Sequence, residues 1–318
     1  MESKENNKTL YLKYRPNTLD EIIGNEDIVA VLKSQLSGNQ PVSKSILFHG
    51  PTGCGKTTLG RIIANELGAK GSDLREIDSA DFRGIDTIRD IRKQSAYKPL
   101  ESPCRVWILD ETHRLTGDAM SALLKALEDT PSHVYYILCT TDPQKLLPTI
   151  RGRCSQFQVK PLTEREMKIL LRRVVKAENE SISKEVYEQI VQDSLGHPRN
   201  ALQILAQVLA VEEGKRLQIA KKTAEMQSKT IELCRALING EPWKKVSNIL
   251  KGLKDEEPEQ IRRAVLGYCQ AVLLGSELQN NGVAGIMEEM EDDLFSSGFP
   301  GLVLRCYSIL YSEDDLPF

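Results

Sequence analysis

What this sequence lacks narrows it first. Its seven cysteines, at positions 54, 104, 139, 154, 234, 269 and 306, include no C-x-x-C pair. An odd count with no leader sequence argues against a disulfide framework and for a reducing, cytoplasmic setting. The four histidines, His49, His113, His133 and His197, show no metal-ligand spacing. Neither charge sign dominates: the formal net charge is −3, so no global basic field advertises nucleic acid and any such face must be local. No apolar run approaches membrane-spanning length. The opening MESKENNKTL has no apolar core segment, so it does not read as a signal peptide. No internal repeat is visible. These absences exclude a disulfide-stapled domain, a membrane span and a repeat array.

What remains is an ordinary globular balance. The chain has 318 residues, 40% hydrophobic and 27% charged, enough for two or three domains with real cores. Residues 1–10 read as a disordered arm. Pro16 and Asn17 break the next segment, and Asn25 reads as a cap for a helix near 26–37. SILFHG (45–50) reads as a buried strand, and the run 57–68 has helical periodicity with a glycine stop. Further strands are expected at 74–78, 104–111, 133–142 and 156–160, with helices at 84–96 and 118–129 between them. Strands alternating with helices predict a parallel sheet covered on both faces. After Pro161 the strand signals stop and everything to about residue 310 reads as helical. Breaks fall at Gly240–Pro242, Glu257–Pro258, Asn280–Gly282 and Ser297–Gly301.

Gly50-Pro51-Thr52-Gly53-Cys54-Gly55-Lys56-Thr57 matches G-x-x-x-x-G-K-[ST] in full, after an expected strand and before an expected helix. The glycines let backbone N–H groups turn inward around phosphate, and the helix N-terminus adds partial positive charge. Lys56 would neutralise β- and γ-phosphate and Thr57 would ligate Mg²⁺. Cys54 occupies a variable, passive position. VWILDETH places two acids at a strand's C-terminal end, the edge where open α/β sheets carry sites. Asp110 would hold the Mg²⁺ shell and Glu111 would polarise an attacking water.

LDETH and ALLKALEDTPSHVYYILCTTDPQKLLPTIRGRC carry a family resemblance. The chain resembles the AAA+ ATPases of sliding-clamp loaders: the bacterial tau/gamma subunit over this stretch, and replication factor C small subunits more closely in YLKYRPNTLDEIIGNEDIV and IDSADFRGIDTIRDI. The match covers about residues 10 to 210. It implies an AAA+ P-loop core (11–160), a helical lid (161–223) and a helical collar (224–311), then an acidic tail (312–318). It implies ATP with Mg²⁺, bound by the run from Gly50 through Thr57 and by Thr58. Tyr14, Arg15, Pro16, Ile23 and Gly24 correspond to the segment lining the adenine pocket, and Pro198 joins this nucleotide-binding set. Thr140 and Thr141 end the fourth strand where the family's sensor-1 residue lies; Thr141 is preferred, but the sequence does not separate them. Arg153, in RGRC, matches the arginine finger of the Ser-Arg-Cys motif, although Gly152 replaces the serine and Arg151 stands nearby. Arg199, in GHPRNAL, matches sensor 2.

Arg89, Arg92 and Lys93 share one face of the expected helix 84–96, with Arg83 before it. The resemblance implies that this region follows duplex phosphates, although Asp86 and Asp90 lie nearby. The chain has no cysteine between 54 and 104, so the zinc cluster of tau/gamma is not expected, and it ends where the collar would end. The tail SEDDLPF is similar to the acidic tip of bacterial single-stranded-DNA-binding proteins. Asp314, Asp315, Leu316, Pro317 and Phe318 could therefore engage a partner that reads such a tip. The expected partners are a sliding clamp, primer–template DNA and other loader subunits. Two alternatives stay open: another AAA+ motor, such as a branch-migration helicase, and a loader scaffold that does not hydrolyse. The Arg-Cys motif and a collar argue against the first; intact Lys56, Thr57, Asp110 and Glu111 argue against the second.

Overall fold

The computed structural model describes residues 9–38, 41–227, 229–275 and 280–311. The expected arm, up to residue 8, and the acidic tail lie outside the described residues. By its internal contacts the chain divides into two units, one formed by Tyr11–Glu166 and one running from Met167 onward.

The first unit opens with α1 (Leu10–Lys13) and α2 (Glu26–Leu36). Asn25 precedes α2, but its side chain does not cap it. Its backbone is left-handed (φ 53°), a conformation asparagine tolerates, and its amide is used elsewhere. Asn25 Nδ2 donates to the Lys160 carbonyl (3.1 Å) and its Oδ1 accepts the Lys160 N–H (2.8 Å). The residue thus ties the start of α2 to a distant stretch of backbone.

Then follow β1 (Ser45–His49), α3 (Lys56–Glu66), β2 (Leu74–Asp78), α4 (Ile85–Ser95), β3 (Arg105–Asp110), α5 (Gly117–Glu128), β4 (Val134–Thr140), α6 (Pro148–Gly152) and β5 (Ser155–Gln158). The strands form one sheet in the order β2-β3-β4-β1-β5, and every neighbouring pair is parallel. Successive side chains of a strand point to opposite faces. Ile46, Phe48, Val106, Ile108, Ile137 and Cys139 therefore share a core with Ile28 and Leu32 of α2 and Leu59, Ile62 and Ile63 of α3. Leu47, Trp107, Leu109, Tyr136 and Leu138 pack on the other side with Ile88 and Ile91 of α4 and Met120 and Leu123 of α5. Burial on both faces is why these strands read as unbroken apolar runs rather than alternating ones. The expected α/β class, a helix-covered parallel sheet, is the observed one.

The second unit is helical among its described residues. It contains most of α7 (Glu164–Ala177), then α8 (Lys184–Ser194), α9 (Pro198–Leu209), α10 (Arg216–Gln227), α11 (Lys229–Ile238), α12 (Trp243–Lys251), α13 (Pro258–Gly275), α14 (Asn281–Glu289) and α15 (Gly298–Leu310). A capping box starts α7: Thr163 N–H donates to Glu166 Oε2 (2.7 Å) and Glu166 N–H to Thr163 Oγ1 (3.3 Å). Met167, Leu171, Val174 and Val175 form its buried stripe. Leu195 and Gly196, both left-handed, end α8 before Pro198 opens α9. Among the described residues, no helix is long and apolar enough to cross a membrane.

Candidate nucleotide site

The loop from Gly50 to Gly55 joins β1 to α3, and glycine is required in it for separate reasons. Gly50 has φ 142°, and a Cβ there would lie 2.1 Å from the Val159 carbonyl oxygen. Its N–H donates to the Thr140 carbonyl (3.2 Å), so the loop starts locked to the neighbouring strand. At Gly55 (φ 100°) an added Cβ meets nothing, so here the backbone conformation alone requires glycine. The turn leaves the N-terminus of α3 facing the loop, which suits an anion.

Lys56 is the first residue of α3 and is only 6% exposed. Its ammonium donates to the loop carbonyls of Gly50 (2.8 Å) and Pro51 (2.9 Å). Burial pulls its pKa below the usual lysine value, while Glu111 and more weakly Asp110 pull it back up. A buried cation held by its own loop's carbonyls, with two carboxylates nearby, is matched to an anion that enters the loop. The Cys54 thiol is pushed up to about 11 by burial, so it is unreactive at neutral pH.

Topology supplies the acids. β4 lies between β1 and β3, so the ends of these three strands stand side by side. Asp110 closes β3, and Thr57 Oγ1 donates to its Oδ2 at 2.6 Å. This hydroxyl–carboxylate pair has the chemistry of a hard-cation site. Asp110 Oδ1 also accepts the Glu111 N–H (2.9 Å). Glu111 itself is left-handed (φ 47°), a strained conformation for a glutamate. The two threonines at the end of β4 differ. Thr140 is fully buried, and its hydroxyl is engaged by Asp142 and by His113 Nδ1 (3.0 Å). Thr141 is half-buried and makes a long contact, 3.5 Å, to Glu111 Oε2.

The other expected residues scatter. Tyr14, Arg15, Pro16 and Ile23 are half-buried and Gly24 is buried, in the first unit. Their neighbours Leu19, Ile22 and Ile28 share a core with Phe48, Cys54 and Val159, on the α3 side of the sheet. Gly24 (φ 74°) lies against Leu162 and Glu166. Arg153 follows α6, is exposed, and forms an ion pair with Glu128 at the end of α5. Arg151 reaches Gln144 Oε1 at 3.4 Å. Pro198 and Arg199 form the first turn of α9 in the second unit, with Arg199 exposed. On α4, each expected DNA-binding cation has an acid beside it: Arg89 with Asp86 (3.1 Å), Lys93 with Asp90 (3.5 Å), and Arg92 with Asp129 (3.9 Å). Arg83 is exposed ahead of that helix. His113, Glu128 and the Val159 carbonyl were not singled out by the sequence. Of the three only His113 carried a signal, its place inside LDETH. Among the described residues, no group of three or more His, Cys, Asp or Glu is placed to hold a metal ion.

Fold and loop together define a P-loop core: a parallel sheet whose first strand runs through the Gly50–Thr57 motif into α3. Comparison with known proteins narrows this. A family model described as DNA polymerase III, delta subunit, matches residues 69–163. DNA polymerase III subunit gamma/tau of Mycobacterium tuberculosis is 36% identical over 224 residues, covering 63% of this chain and 39% of that protein. Subunit tau of Bacillus subtilis is 30% identical over 321 residues, covering 90% and 55%. Replication factor C subunit 3 of Blastobotrys adeninivorans is 33% identical over 210 residues, covering 64% and 61%. These are similarities to subunits of DNA polymerase III and of replication factor C. The chain spans 39–61% of the length of these relatives. In structure it is similar to the Thermotoga maritima RuvB Holliday junction branch migration motor, with TM-score 0.56, 23% identity and 92% and 91% of the two chains covered. At that identity the likeness speaks for the fold alone.

Proposed function

We propose that this chain is an ATP-dependent subunit of a sliding-clamp loader, helping to open a ring-shaped processivity clamp and place it on primer–template DNA. The observation that carries the ATPase part is the convergence of Lys56, Thr57, Asp110 and Glu111 at the ends of β1 and β3. The sequence relatives carry the loader part. In this reading the run from Gly50 through Thr58 holds the phosphates, and Thr57 and Asp110 hold Mg²⁺. The ion, when bound, supplies charge neutralisation on the phosphate oxygens. Lys56 exchanges its loop carbonyls for phosphate oxygens. Glu111 orients the attacking water, and Thr141, beside it, is the sensor-1 residue.

Arg153 acts in trans on a neighbouring subunit's nucleotide, leaving Glu128 to do so; an exposed ion pair is worth about 1 kcal/mol or less, so the exchange is cheap. The same reasoning applies to Arg89, Arg92 and Lys93. Their acid partners are exposed, and DNA phosphates can displace them, with Arg83 extending the track. Tyr14, Arg15, Pro16, Ile23, Gly24 and Pro198 belong to the nucleotide's base and lid contacts, and Arg199 reports on the γ-phosphate. Residues 161–223 serve as lid and 224–311 as collar in an assembly with other loader subunits, and the DDLPF tip recruits a further partner.

The test is steady-state ATPase of the purified chain with primer–template DNA, its cognate clamp and any second loader subunit. Stimulation by DNA plus clamp is expected, with roughly a 10³-fold loss in Lys56→Ala and in Arg153→Ala. Robust turnover indifferent to the clamp would favour a motor of the branch-migration kind instead.

A further inference from the structure

One titratable side chain at the candidate site is used by neither the phosphate loop nor the metal pair. His113 lies in a short helical turn, Thr112–Arg114, directly after the two acids. That turn is fixed from beneath. The fully buried Thr112 hydroxyl lies within hydrogen-bond reach of the carbonyls of Leu109 (2.8 Å) and Cys139 (3.1 Å), one on β3 and one on β4, and its single proton serves that pair. The imidazole is therefore held between the two strand ends that carry Glu111 and Thr141, and its side chain is 11% exposed.

Its Nδ1 faces two oxygens: Thr140 Oγ1 at 3.0 Å and Glu111 Oε2 at 3.3 Å. The Thr140 hydroxyl can turn its one proton to the Asp142 carbonyl (3.2 Å) and accept from Nδ1. An ionised Glu111 carboxylate can only accept. A proton on Nδ1 suits both neighbours, whereas a bare Nδ1 lone pair would face the Glu111 carboxylate. Burial lowers the imidazole pKa below its usual 6.5, against the opposing pull of Glu111, while Lys145 and Arg114 lower it further and Asp142 raises it. The ring is then neutral near pH 7 and the Nδ1–H tautomer is its resting form.

We infer that His113 is a positioning residue for ATP hydrolysis: its Nδ1–H, hydrogen-bonded to Thr140 and 3.3 Å from Glu111 Oε2, draws the Glu111 carboxylate into place at the end of β3. Thr141 approaches the same carboxylate oxygen from β4. A glutamate in the left-handed region, 29% exposed, has many rotamers open to it, and a rigid donor selects one. The inference rests on the ATPase reading above, because it gives the donor a purpose through Glu111.

The test compares His113→Leu, which removes the donor at similar volume, with His113→Asn, whose Nδ2 sits two bonds from Cβ as Nδ1 does. His113→Leu is expected to lower kcat roughly tenfold or more, with KM for ATP and ADP affinity unchanged, and His113→Asn is expected to recover most of it. In a Glu111→Gln background, His113→Leu should cost nothing further, since it acts through that carboxylate. An unchanged kcat in His113→Leu, an asparagine variant as impaired as the leucine one, or an additive loss in the double variant would each overturn the assignment. Imidazole ¹⁵N shifts give a readout that needs no turnover, with His113→Asn identifying the signal. An Nδ1–H tautomer at pH 7 supports the assignment, and an Nε2–H tautomer or an imidazolium overturns it. A wild-type chain that shows that tautomer yet never hydrolyses ATP with its full partner set would instead refute the ATPase reading and remove the catalytic role with it.

Discussion

Single residues decide whether the phosphate loop can exist. Gly50 combines a φ of 142° with a 2.1 Å approach of any added Cβ to the Val159 carbonyl, and neither can relax without moving β1 or the chain after β5. Gly50→Ala is expected to cost roughly 3 kcal/mol or more by denaturant unfolding. Gly38→Ala separates the two causes: φ is also positive there (83°), but among the described residues a Cβ would meet no atom within 4 Å, so the cost should stay near ~1 kcal/mol. Equal costs would show that the Val159 contact carries no weight. At the same scale, a motif reveals which residue types are present but not which atoms meet. The pattern of Lys56, Thr57, Asp110 and Glu111 was legible because phosphate and metal chemistry demand those types in that order. The Val159 carbonyl behind Gly50 was not, because the two come together only through the pairing of β1 with β5.

Elements show a different division. Strands and helices of the first unit were legible, since burial on both faces turns parallel strands into apolar runs that period and length separate from helices. Side-chain pairing at their ends was not. Asn25 looks like a cap by position yet bonds to Lys160, and Asp73 is a buried carboxylate that holds Arg105 (3.0 Å) together with the N–H groups of Leu100 and Glu101. In the second unit, Asp193 of α8, fully buried, meets Arg235 of α11 (2.6 Å) and Tyr268 of α13 (3.4 Å), a network with no motif. Glu259, in the first turn of α13, is more easily tested. It accepts from Arg262 (2.7 Å), Arg263 (2.8 Å) and the Leu294 N–H (3.1 Å). Arg262 foremost holds its carboxyl down to about 2. Its folded pKa is depressed, so its contribution is full above the unfolded value near 4.5 and fades as pH falls towards about 2. Glu259→Gln should therefore destabilise by roughly 3 kcal/mol at pH 7, and by progressively less below pH 4.5. A pH-independent difference in urea midpoints would show that the charge is not what matters.

For the whole molecule, the decisive question is whether one chain completes another's site. Arg153 is exposed, and its ion pair is to a surface glutamate, beside a long contact to the Thr149 carbonyl (3.4 Å), as suits a residue that changes partners on assembly. Lys56→Ala and Arg153→Ala chains should each lack DNA- and clamp-stimulated ATPase, yet recover part of it when mixed, because some interfaces then pair an intact loop with an intact arginine. No recovery on mixing, with assembly confirmed, would place Arg153 outside the trans role.

The sequence by itself determined the α/β core, the phosphate loop, the acid pair and the likeness to clamp-loader subunits. Each of these is local in the chain: a period, a spacing, or a run of residue types that phosphate chemistry requires. Only the tertiary structure decided which atoms meet. It set Thr140 against His113 and Thr141 near Glu111, brought His113 to Glu111, gave every cation of α4 an acid neighbour, and used the Asn25 side chain away from its helix. Those outcomes depend on strand order and on side chains from distant segments competing for the same hydrogen bonds, and no spacing along the chain encodes that competition.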